Sequence, residues 1–400
     1  MAGTGKSTVA HTVANWSDEH GSLGSCFCFD RTRERERLPQ KLFTTIARDL
    51  ADHDPLLRRA LASAVRDNNE LKHTVDIKRQ WNQLLLGPIN IASKVVEAPI
   101  LIIVDALDES GESDTREQIL HLLAGEQDGS SKPMTGMPPN IRILITSCPL
   151  EDIYDALHSP SHVRHVNLDE SPWSDAIERD IERYISVRLK ELQFNDHECK
   201  ALAKHADGLF EWARLVCEYI KGRNKVRQNP RVRFESVISD VPAKRTRLLA
   251  FMYKRILADV IPEDERQETT LMFCIVMDLI VNVLEPLSKT SLAAILCHSP
   301  RTDDRDQGRQ EIDVEFILTP LGALLTGITD NQTPIRPLHA SLDDFLTDRD
   351  RSDEFFVGGP EVHHCRLAFA SLHIMKGQLC FNVCHLESSY LSNSDVIGLE

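Results

Sequence analysis

Hydrophobic and polar positions alternate between two patterns over the first 170 residues. Continuous apolar runs occur at 25–29 (SCFCF), 99–105 (PILIIVD) and 141–147 (IRILITS), with a further candidate at 163–168 (VRHVNL). Runs this uniformly apolar are typical of strands that are buried on both faces of a parallel sheet. Stretches with helical spacing separate them, so the pattern predicts an α/β domain with helices on both faces of the sheet.

Three helices are predicted before the run at 99–105. The first covers Lys6 to Glu19 and ends at Gly21. The third starts at Asp54 and Pro55, because proline is well accepted at the first helical position. The second carries one apolar residue in every four, at Leu38, Leu42, Ile46 and Leu50.

Helical spacing dominates beyond residue 170, where apolar runs nearly disappear. One short strand is predicted near Ile335 to Leu338, and the polar stretch 299–311 (SPRTDDRDQGRQE) is predicted to be a loop. The chain is therefore expected to continue as helical domains. The helices predicted here are 177–189, with a stripe of Ile177, Ile181, Ile185 and Leu189, followed by 209–220, 247–260 and 263–284.

Charge and hydropathy exclude two classes of partner. Lysine and arginine total 46 against 61 acidic residues, giving a formal charge of -15, so no general affinity for nucleic acid or anionic lipid is predicted. The basic stretch 221–233 is interpreted as a solvated helix end and linker. The apolar run 271–284 is too short for a membrane span and carries Asp278 and Asn282, so it is predicted to be a core helix.

The ten cysteines lack the dense, even spacing of a secreted disulfide framework, and no signal peptide is evident. These features predict a reducing, cytoplasmic environment. Neither Cys26-x-Cys28 nor Cys380-x-x-x-Cys384-His385 has a partner pair at zinc-finger spacing, so neither is predicted to bind metal in that way. Cys26 and Cys28 are instead predicted to share one face of a buried strand.

The first eight residues, MAGTGKST, contain most of a phosphate-binding P-loop. In the motif G-x-x-x-x-G-K-[ST], backbone amides wrap phosphate, lysine neutralises its charge and the hydroxyl binds magnesium. The first glycine of the motif would fall one position before Met1, and the alternative is a simple glycine turn into a helix. The predicted nucleotide-binding residues are Gly3, Thr4, Gly5, Lys6, Ser7 and Thr8.

The stretch ILIIVDALDES places carboxylates at the end of a predicted strand. Asp105 is expected to bind Mg²⁺ together with Ser7, while Asp108 or Glu109 is expected to orient or deprotonate a water molecule. The alternative is an acidic loop that caps the sheet. The upstream P-loop lysine favours the functional interpretation.

The sequence resembles the NACHT-domain NTPases of the STAND class, particularly fungal members with a nephrocystin-3-like N-terminal NACHT module. The resemblance extends over nearly the whole chain, and its order of motifs is more specific than any one of them. It rests on MAGTGKSTVAHTVA at 1–14, FTTIARDLA at 43–51, LIIVDALDES at 101–110, ILITSCP at 143–149, GLFEWARLVCEYI at 208–220 and LHASLDDFLTD at 338–348.

The resemblance implies an α/β P-loop NTPase domain over 1–170, a small helical domain over 171–240 and a winged-helix domain over 241–350. Residues 351–400 would form a helical segment leading towards repeats. Related proteins bind ATP or ADP with Mg²⁺: ADP holds the domains closed, and ATP opens them for oligomerisation. By position, His339 matches a winged-helix histidine that touches bound ADP in animal relatives.

Three departures from the family pattern bear on activity. The family has a central strand and a glycine ahead of the position of Met1, so the sheet is expected to lack its first strand. Cys148 stands where an arginine usually reaches the γ-phosphate, which predicts weakened hydrolysis. Phe210 stands where many relatives have a proline that contacts adenine.

Three functions remain open at this point. The first is a nucleotide-dependent signalling switch with at most weak ATPase activity, in fungal non-self recognition or programmed cell death, that engages protein partners or itself through the NACHT domain. The second is a degenerate interaction scaffold, or gene fragment, that no longer binds nucleotide. The third, a small-molecule P-loop kinase, has less support because the sequence shows no basic lid.

Overall fold

The protein is described by a computed structural model that covers residues 3–30, 37–92, 98–124, 137–158, 160–222, 229–261, 266–298, 312–358, 360–382 and 386. The predicted loop at 299–311, residues 223–228 of the basic stretch and the Cys384-His385 pair lie outside these residues. The chain divides into two compact units. The first contains the residues up to Ile256 together with His339–Ser341, and the second contains the remainder.

Three parallel strands form the sheet of the first unit, in the order β1 (Leu23–Cys28), β2 (Ile100–Asp105) and β3 (Ile141–Ile145). Each coincides with a predicted apolar run. Cys28 is in register with Asp105, and Val104 with Ile145, so the carboxyl ends of the strands meet at one edge. Among the described residues, no strand pairs with the other side of β3.

The prediction of a further strand at 163–168 is wrong. Val166 is 46% exposed, whereas a strand of a doubly covered sheet has both faces buried. The side chain of Asn167 accepts a hydrogen bond from the backbone N–H of Asp169 at 3.0 Å and donates one to the Glu170 carboxylate at 2.9 Å. This local bonding forms a turn and competes with sheet pairing.

Helices make up most of the rest of the described chain. A π-helical segment, Gln80–Leu86, joins α4 to α5, and a 3-10 turn, Leu107–Glu109, follows β2. In chain order the helices are α1 (Lys6–Glu19), α2 (Leu42–His53), α3 (Pro55–Asp67), α4 (Ile77–Arg79), α5 (Gly87–Ala92), α6 (Ser113–Ala124), α7 (Glu151–His158), α8 (Trp173–Leu189), α9 (Asp196–Ala206), α10 (Phe210–Lys221), α11 (Pro230–Asp240), α12 (Arg245–Val260), α13 (Arg266–Asn282), α14 (Lys289–His298), α15 (Val314–Leu318), α16 (Ser341–Leu346), α17 (Arg349–Ser352) and α18 (Pro360–Gln378).

The helix boundaries follow local sequence signals. The Asp54 carboxylate caps α3 by accepting hydrogen bonds from the N–H groups of Leu56 at 2.7 Å and Leu57 at 3.1 Å. Helix α2 begins at Leu42 rather than near Leu38, because the residues around Pro39 form a short 3-10 turn first. The other helices predicted from spacing are confirmed within a few residues at the ends that the structure describes.

The two faces of the sheet differ. On the side that we call the α1 face, Ala10 and Ala14 of α1 pack against Ile103, with Cys26 at the edge of this small cluster. Cys28 lies two residues further along β1 and therefore faces the same side, as predicted. The opposite face belongs to a large apolar cluster whose members include Phe27, Phe43, Ile46, Trp81, Ile102, Val104 and Ile119. The α/β architecture of the first unit is thus confirmed.

The second unit is helical apart from a short antiparallel pair. Strand β5 (Arg336–Pro337) falls within the predicted region, whereas its partner β4 (Leu325–Thr326) was not predicted. The predicted core helix is α13, whose Phe273 ring packs edge-on against Phe355 with ring centroids 5.9 Å apart. Within the described part of the chain, none of the helices is long and apolar enough to cross a membrane.

Candidate functional site

The loop before α1 has the backbone of an anion-binding turn. Gly3 and Gly5 have φ angles of 84° and 87°, which residues with a side chain rarely adopt. The first helical hydrogen bond runs from the Val9 N–H to the Gly5 carbonyl at 3.0 Å. The N–H groups of the first turn of a helix have no acceptor within the helix and point to the position that anions occupy in helix N-terminal sites.

Close packing also requires glycine at both positions. A Cβ on Gly5 would stand 3.2 Å from the ring of Phe210, and one on Gly3 would stand 3.0 Å from the Cβ of Glu211. The N–H of Glu211 donates to the Gly3 carbonyl at 3.3 Å. The loop is therefore held against the first turn of α10, where the departure at Phe210 lies.

Asp105 is fully buried at the end of β2. The Thr146 hydroxyl donates to its Oδ1 atom, and the Cys28 thiol donates to its Oδ2 atom at 3.2 Å. Thr146 in turn accepts a hydrogen bond from the N–H of Ala106 at 3.1 Å. Ala106 has a φ of 57°, in the left-handed region that non-glycine residues rarely occupy, and such strain is concentrated at functional sites.

A chain of contacts joins the loop to the strand ends. The Lys6 Nζ atom donates to the Cys148 Sγ atom at 3.4 Å, and the backbone N–H of Cys148 donates to the Asp108 Oδ1 atom at 2.9 Å. Lys6 and Cys148 are 142 positions apart in the chain. The fold thus brings the predicted P-loop lysine, the residue at the predicted arginine position and one predicted water-orienting carboxylate into a single group.

The thiols of this region are neutral. Burial, the adjacent Asp105 charge and the hydrogen bond to Asp105 raise the pKa of Cys28 to about 12, and Glu109 contributes in the same direction. Burial and the charge of Asp108 raise the pKa of Cys148, against the opposing effect of Lys6. At neutral pH, Cys148 therefore supplies no charge at the position where the family resemblance predicts an arginine.

His339 approaches the loop from a different part of the chain. Its Nε2 atom lies 3.8 Å from the position of a Cβ on Gly3. Its Nδ1 atom accepts a hydrogen bond from the N–H of Ser341 at 3.1 Å, which assigns the proton of the neutral ring to Nε2. The Ser341 hydroxyl also lies 2.8 Å from that of Tyr253. In this tautomer, an N–H donor lies beside the loop.

All of the predicted site residues lie in the first unit. Ser7 and Thr8 are exposed in the first turn of α1, while Thr4 is buried. Glu109 lies in the 3-10 turn after β2, next to Asp108. No ligand distance tests their assigned roles, which stay predictions.

Three contacts of the site were not predicted. Cys28 and Thr146 bind the two oxygens of Asp105, and Glu211 binds the loop. An ion pair with the partly exposed Arg214, at 2.7 Å, balances the charge of the buried Glu211. In the sequence, Cys28 stands out only as part of the apolar run 25–29, and Glu211 only as the residue after Phe210.

Comparison with known proteins finds a similarity for the region that contains most of this site. Residues 1–148 match a family model described as Nephrocystin 3, N-terminal. The match includes the loop, Asp105 and Asp108, and it ends at Cys148, whereas His339 lies outside it. This part of the chain is therefore similar to the nephrocystin-3 N-terminal family. A comparison with curated proteins gives no match.

Proposed function

We propose that the protein is an ATP- and ADP-binding signalling switch of the NACHT/STAND class with at most weak ATPase activity. The observation that carries the proposal is the convergence of the Gly3–Gly5 loop, Lys6, Cys148 and Asp108 at one edge of the sheet. A glycine turn that merely enters a helix has no reason to meet the carboxyl ends of neighbouring parallel strands. Ligands of open α/β sheets bind outside those ends.

Phosphate binding follows from the loop. The backbone N–H groups at the start of α1 and the positive end of the helix dipole favour an anion there. Lys6 supplies the positive side-chain charge for phosphate binding. Its 3.4 Å contact with the neutral Cys148 thiol is weaker than a charge-assisted hydrogen bond to phosphate, so phosphate oxygens would replace it.

The Ser7 hydroxyl and the Asp105 carboxylate fit a magnesium ion, because Mg²⁺ prefers oxygen ligands and usually binds proteins through one or two carboxylates. When bound, Mg²⁺ neutralises charge on the phosphates. Thr146 holds one carboxylate oxygen of Asp105 in place. The Cys28 thiol is a weak donor, so its hydrogen bond to the other oxygen is easily exchanged.

Hydrolysis is proposed to be slow. Asp108 or Glu109 would orient the attacking water, but Asp108 already accepts a hydrogen bond from the Cys148 N–H. The neutral Cys148 side chain gives no stabilisation to the charge that develops on the transferred phosphoryl group. The conformation of the protein would then depend on whether ADP or ATP is bound, and not on the rate of ATP hydrolysis.

A switch needs a nucleotide contact that exists in only one conformation. The Nε2–H group of His339, which lies beside Gly3, would donate a hydrogen bond to a phosphate oxygen. His339 itself would belong to the winged-helix domain proposed for 241–350. Loss of that contact on exchange of ADP for ATP would favour opening and self-association. Fungal non-self recognition and programmed cell death are the proposed settings.

A scaffold that no longer binds nucleotide is the second candidate. One observation favours it: the Lys6 ammonium, which would bind phosphate, donates to the Cys148 thiol, and the Cys148 N–H donates to Asp108. These residues therefore already hydrogen-bond to one another. Nothing among the described residues favours the small-molecule kinase over these two.

The proposal is tested by the nucleotide that co-purifies with the protein. The purified chain is denatured and the released nucleotide is identified by chromatography, beside Lys6→Ala and the control Lys200→Ala, which removes an exposed lysine of α9. We expect ADP from the wild type and from the control, and none from Lys6→Ala. A folded wild-type protein without nucleotide that also fails to take up added ADP or ATP would favour the scaffold.

A further inference from the structure

Three side chains with different ligand atoms converge on the α1 face. They are His11 on α1, Cys28 at the end of β1 and Asp105 at the end of β2. Each offers one nitrogen, sulfur or oxygen atom, and these atoms all lie within 4.8 Å of one another. Register explains the strand pair, because Cys28 is directly opposite Asp105, and α1 lies over the side chains on this face.

We propose that His11, Cys28 and Asp105 form a Zn²⁺ site. Imidazole nitrogen, thiolate sulfur and carboxylate oxygen are the three ligand types of zinc in proteins. A thiolate and an imidazole disfavour Mg²⁺, which prefers oxygen, so the donor set selects a softer ion. Three protein ligands leave the fourth tetrahedral position to a water molecule or another small ligand.

The geometry requires little rearrangement. Zinc bonds of about 2.0–2.3 Å put tetrahedral ligand atoms roughly 3.3–3.8 Å apart. The Cys28 Sγ and Asp105 Oδ2 atoms are already 3.2 Å apart. His11 is exposed on α1, so its ring is able to rotate by the small distance that completes the site.

The carboxylate is oriented before any ion arrives. Asp105 is fully buried, and the Thr146 hydroxyl holds its Oδ1 atom, which directs Oδ2 towards Cys28. Hydrogen-bonded partners of this kind orient the ligands of metal sites. On binding, a Zn–S bond replaces the S–H bond of Cys28, and the proton leaves to solvent.

The zinc site goes beyond the proposed nucleotide switch and does not rest on it. Binding by these three side chains needs no nucleotide, and it is measured in the nucleotide-free protein. The two proposals share Asp105, so zinc at this site would compete with the magnesium that accompanies a nucleotide. This competition rests on the proposed function, whereas zinc binding itself does not.

The test is a zinc titration of the full-length, metal-stripped, nucleotide-free protein in the presence of a reductant, in competition with a chromogenic zinc chelator. His11→Ala and Cys28→Ser are compared with the wild type. Two controls are matched to them: Cys26→Ser, on the same strand and face, and His20→Ala, an exposed histidine just after α1. We expect one zinc equivalent whose affinity falls at least tenfold in both site variants and less than twofold in the controls.

Cobalt provides a second measurement. Co²⁺ in place of Zn²⁺ should give a thiolate-to-metal charge-transfer band that Cys28→Ser loses and Cys26→Ser keeps. Circular dichroism establishes that each variant is folded, and if Cys28→Ser is not, the exposed His11→Ala variant decides. Equal zinc affinity in the wild type and in folded His11→Ala, or a cobalt band that persists in folded Cys28→Ser, would overturn the proposal.

Discussion

The two faces of the small parallel sheet serve different purposes. On the face opposite to the α1 face, large side chains such as Phe43 and Trp81 pack into the main core of the first unit, with ring centroids 4.9 Å apart. The α1 face is filled by small residues, Ala10 and Ala14, and carries Cys28 and Asp105 at its carboxyl end. The large apolar core thus lies on one face, and the polar groups that we propose as ligand-binding residues lie on the other.

Phe43→Ala on the opposite face should have the largest effect on stability. Phe43 is fully buried, and truncation of a buried phenylalanine typically costs about 3–5 kcal/mol. Urea unfolding of wild type and variant measures the change. The nucleotide and zinc affinities of the folded fraction should stay as in the wild type. A loss of less than about 1 kcal/mol would contradict the division between the faces.

Cys148→Arg should raise ATP turnover at least tenfold if the missing charge limits hydrolysis, since an arginine that stabilises phosphoryl transfer contributes more than that in related chemistry. Steady-state phosphate release measures the effect. Cys148→Ser is the control, because it removes the thiol without adding charge, and it should leave turnover low. Unchanged turnover in a folded Cys148→Arg protein would mean that the cysteine is not the limiting defect.

Gly5→Ala should have a smaller effect, on both stability and binding. The left-handed conformation costs an alanine about 1–2 kcal/mol, and here the ring of Phe210 would stand 3.2 Å from the new carbon. Gly21 has a φ of 66° with open space around it, so Gly21→Ala carries the conformational cost alone.

Thermal unfolding and nucleotide titration of Gly5→Ala and Gly21→Ala separate these contributions. Both variants should lose stability, Gly5→Ala more than Gly21→Ala, and only Gly5→Ala should lose nucleotide affinity. Equal effects on affinity would show that the loop conformation has no special part in binding.

Periodicity was sufficient to predict the three strands of the parallel sheet and seven of the 18 helices in the described part of the chain. Runs such as PILIIVD are apolar because both faces of a parallel strand are covered, and this is a local property of the sequence. It failed at 163–168, where Asn167 forms a turn instead of pairing with the sheet. It also missed β4, which is two residues long and leaves too short a pattern to recognise.

The sequence was sufficient to predict individual residues of the candidate site, but not the contacts between them. Motif spacing identified Lys6, Asp105 and Asp108, because each follows a local signal at a helix start or a strand end. The contact of Cys28 with Asp105 joins positions 77 apart in the chain, so no local pattern reveals it. Domain boundaries, the winged-helix assignment and the roles of the site residues stay predictions.

The central claim is that the loop at the start of α1 binds nucleotide phosphate. Its most direct test is an equilibrium titration of a fluorescent ADP analogue with Mg²⁺ into nucleotide-free wild type, Lys6→Ala and Lys200→Ala. We expect saturable binding that falls roughly tenfold to a hundredfold in Lys6→Ala, since a hydrogen bond to a charged group contributes about 1.5–3 kcal/mol, and that is unchanged in Lys200→Ala. Equal binding by all three proteins, or no binding by a folded wild type, would contradict the claim.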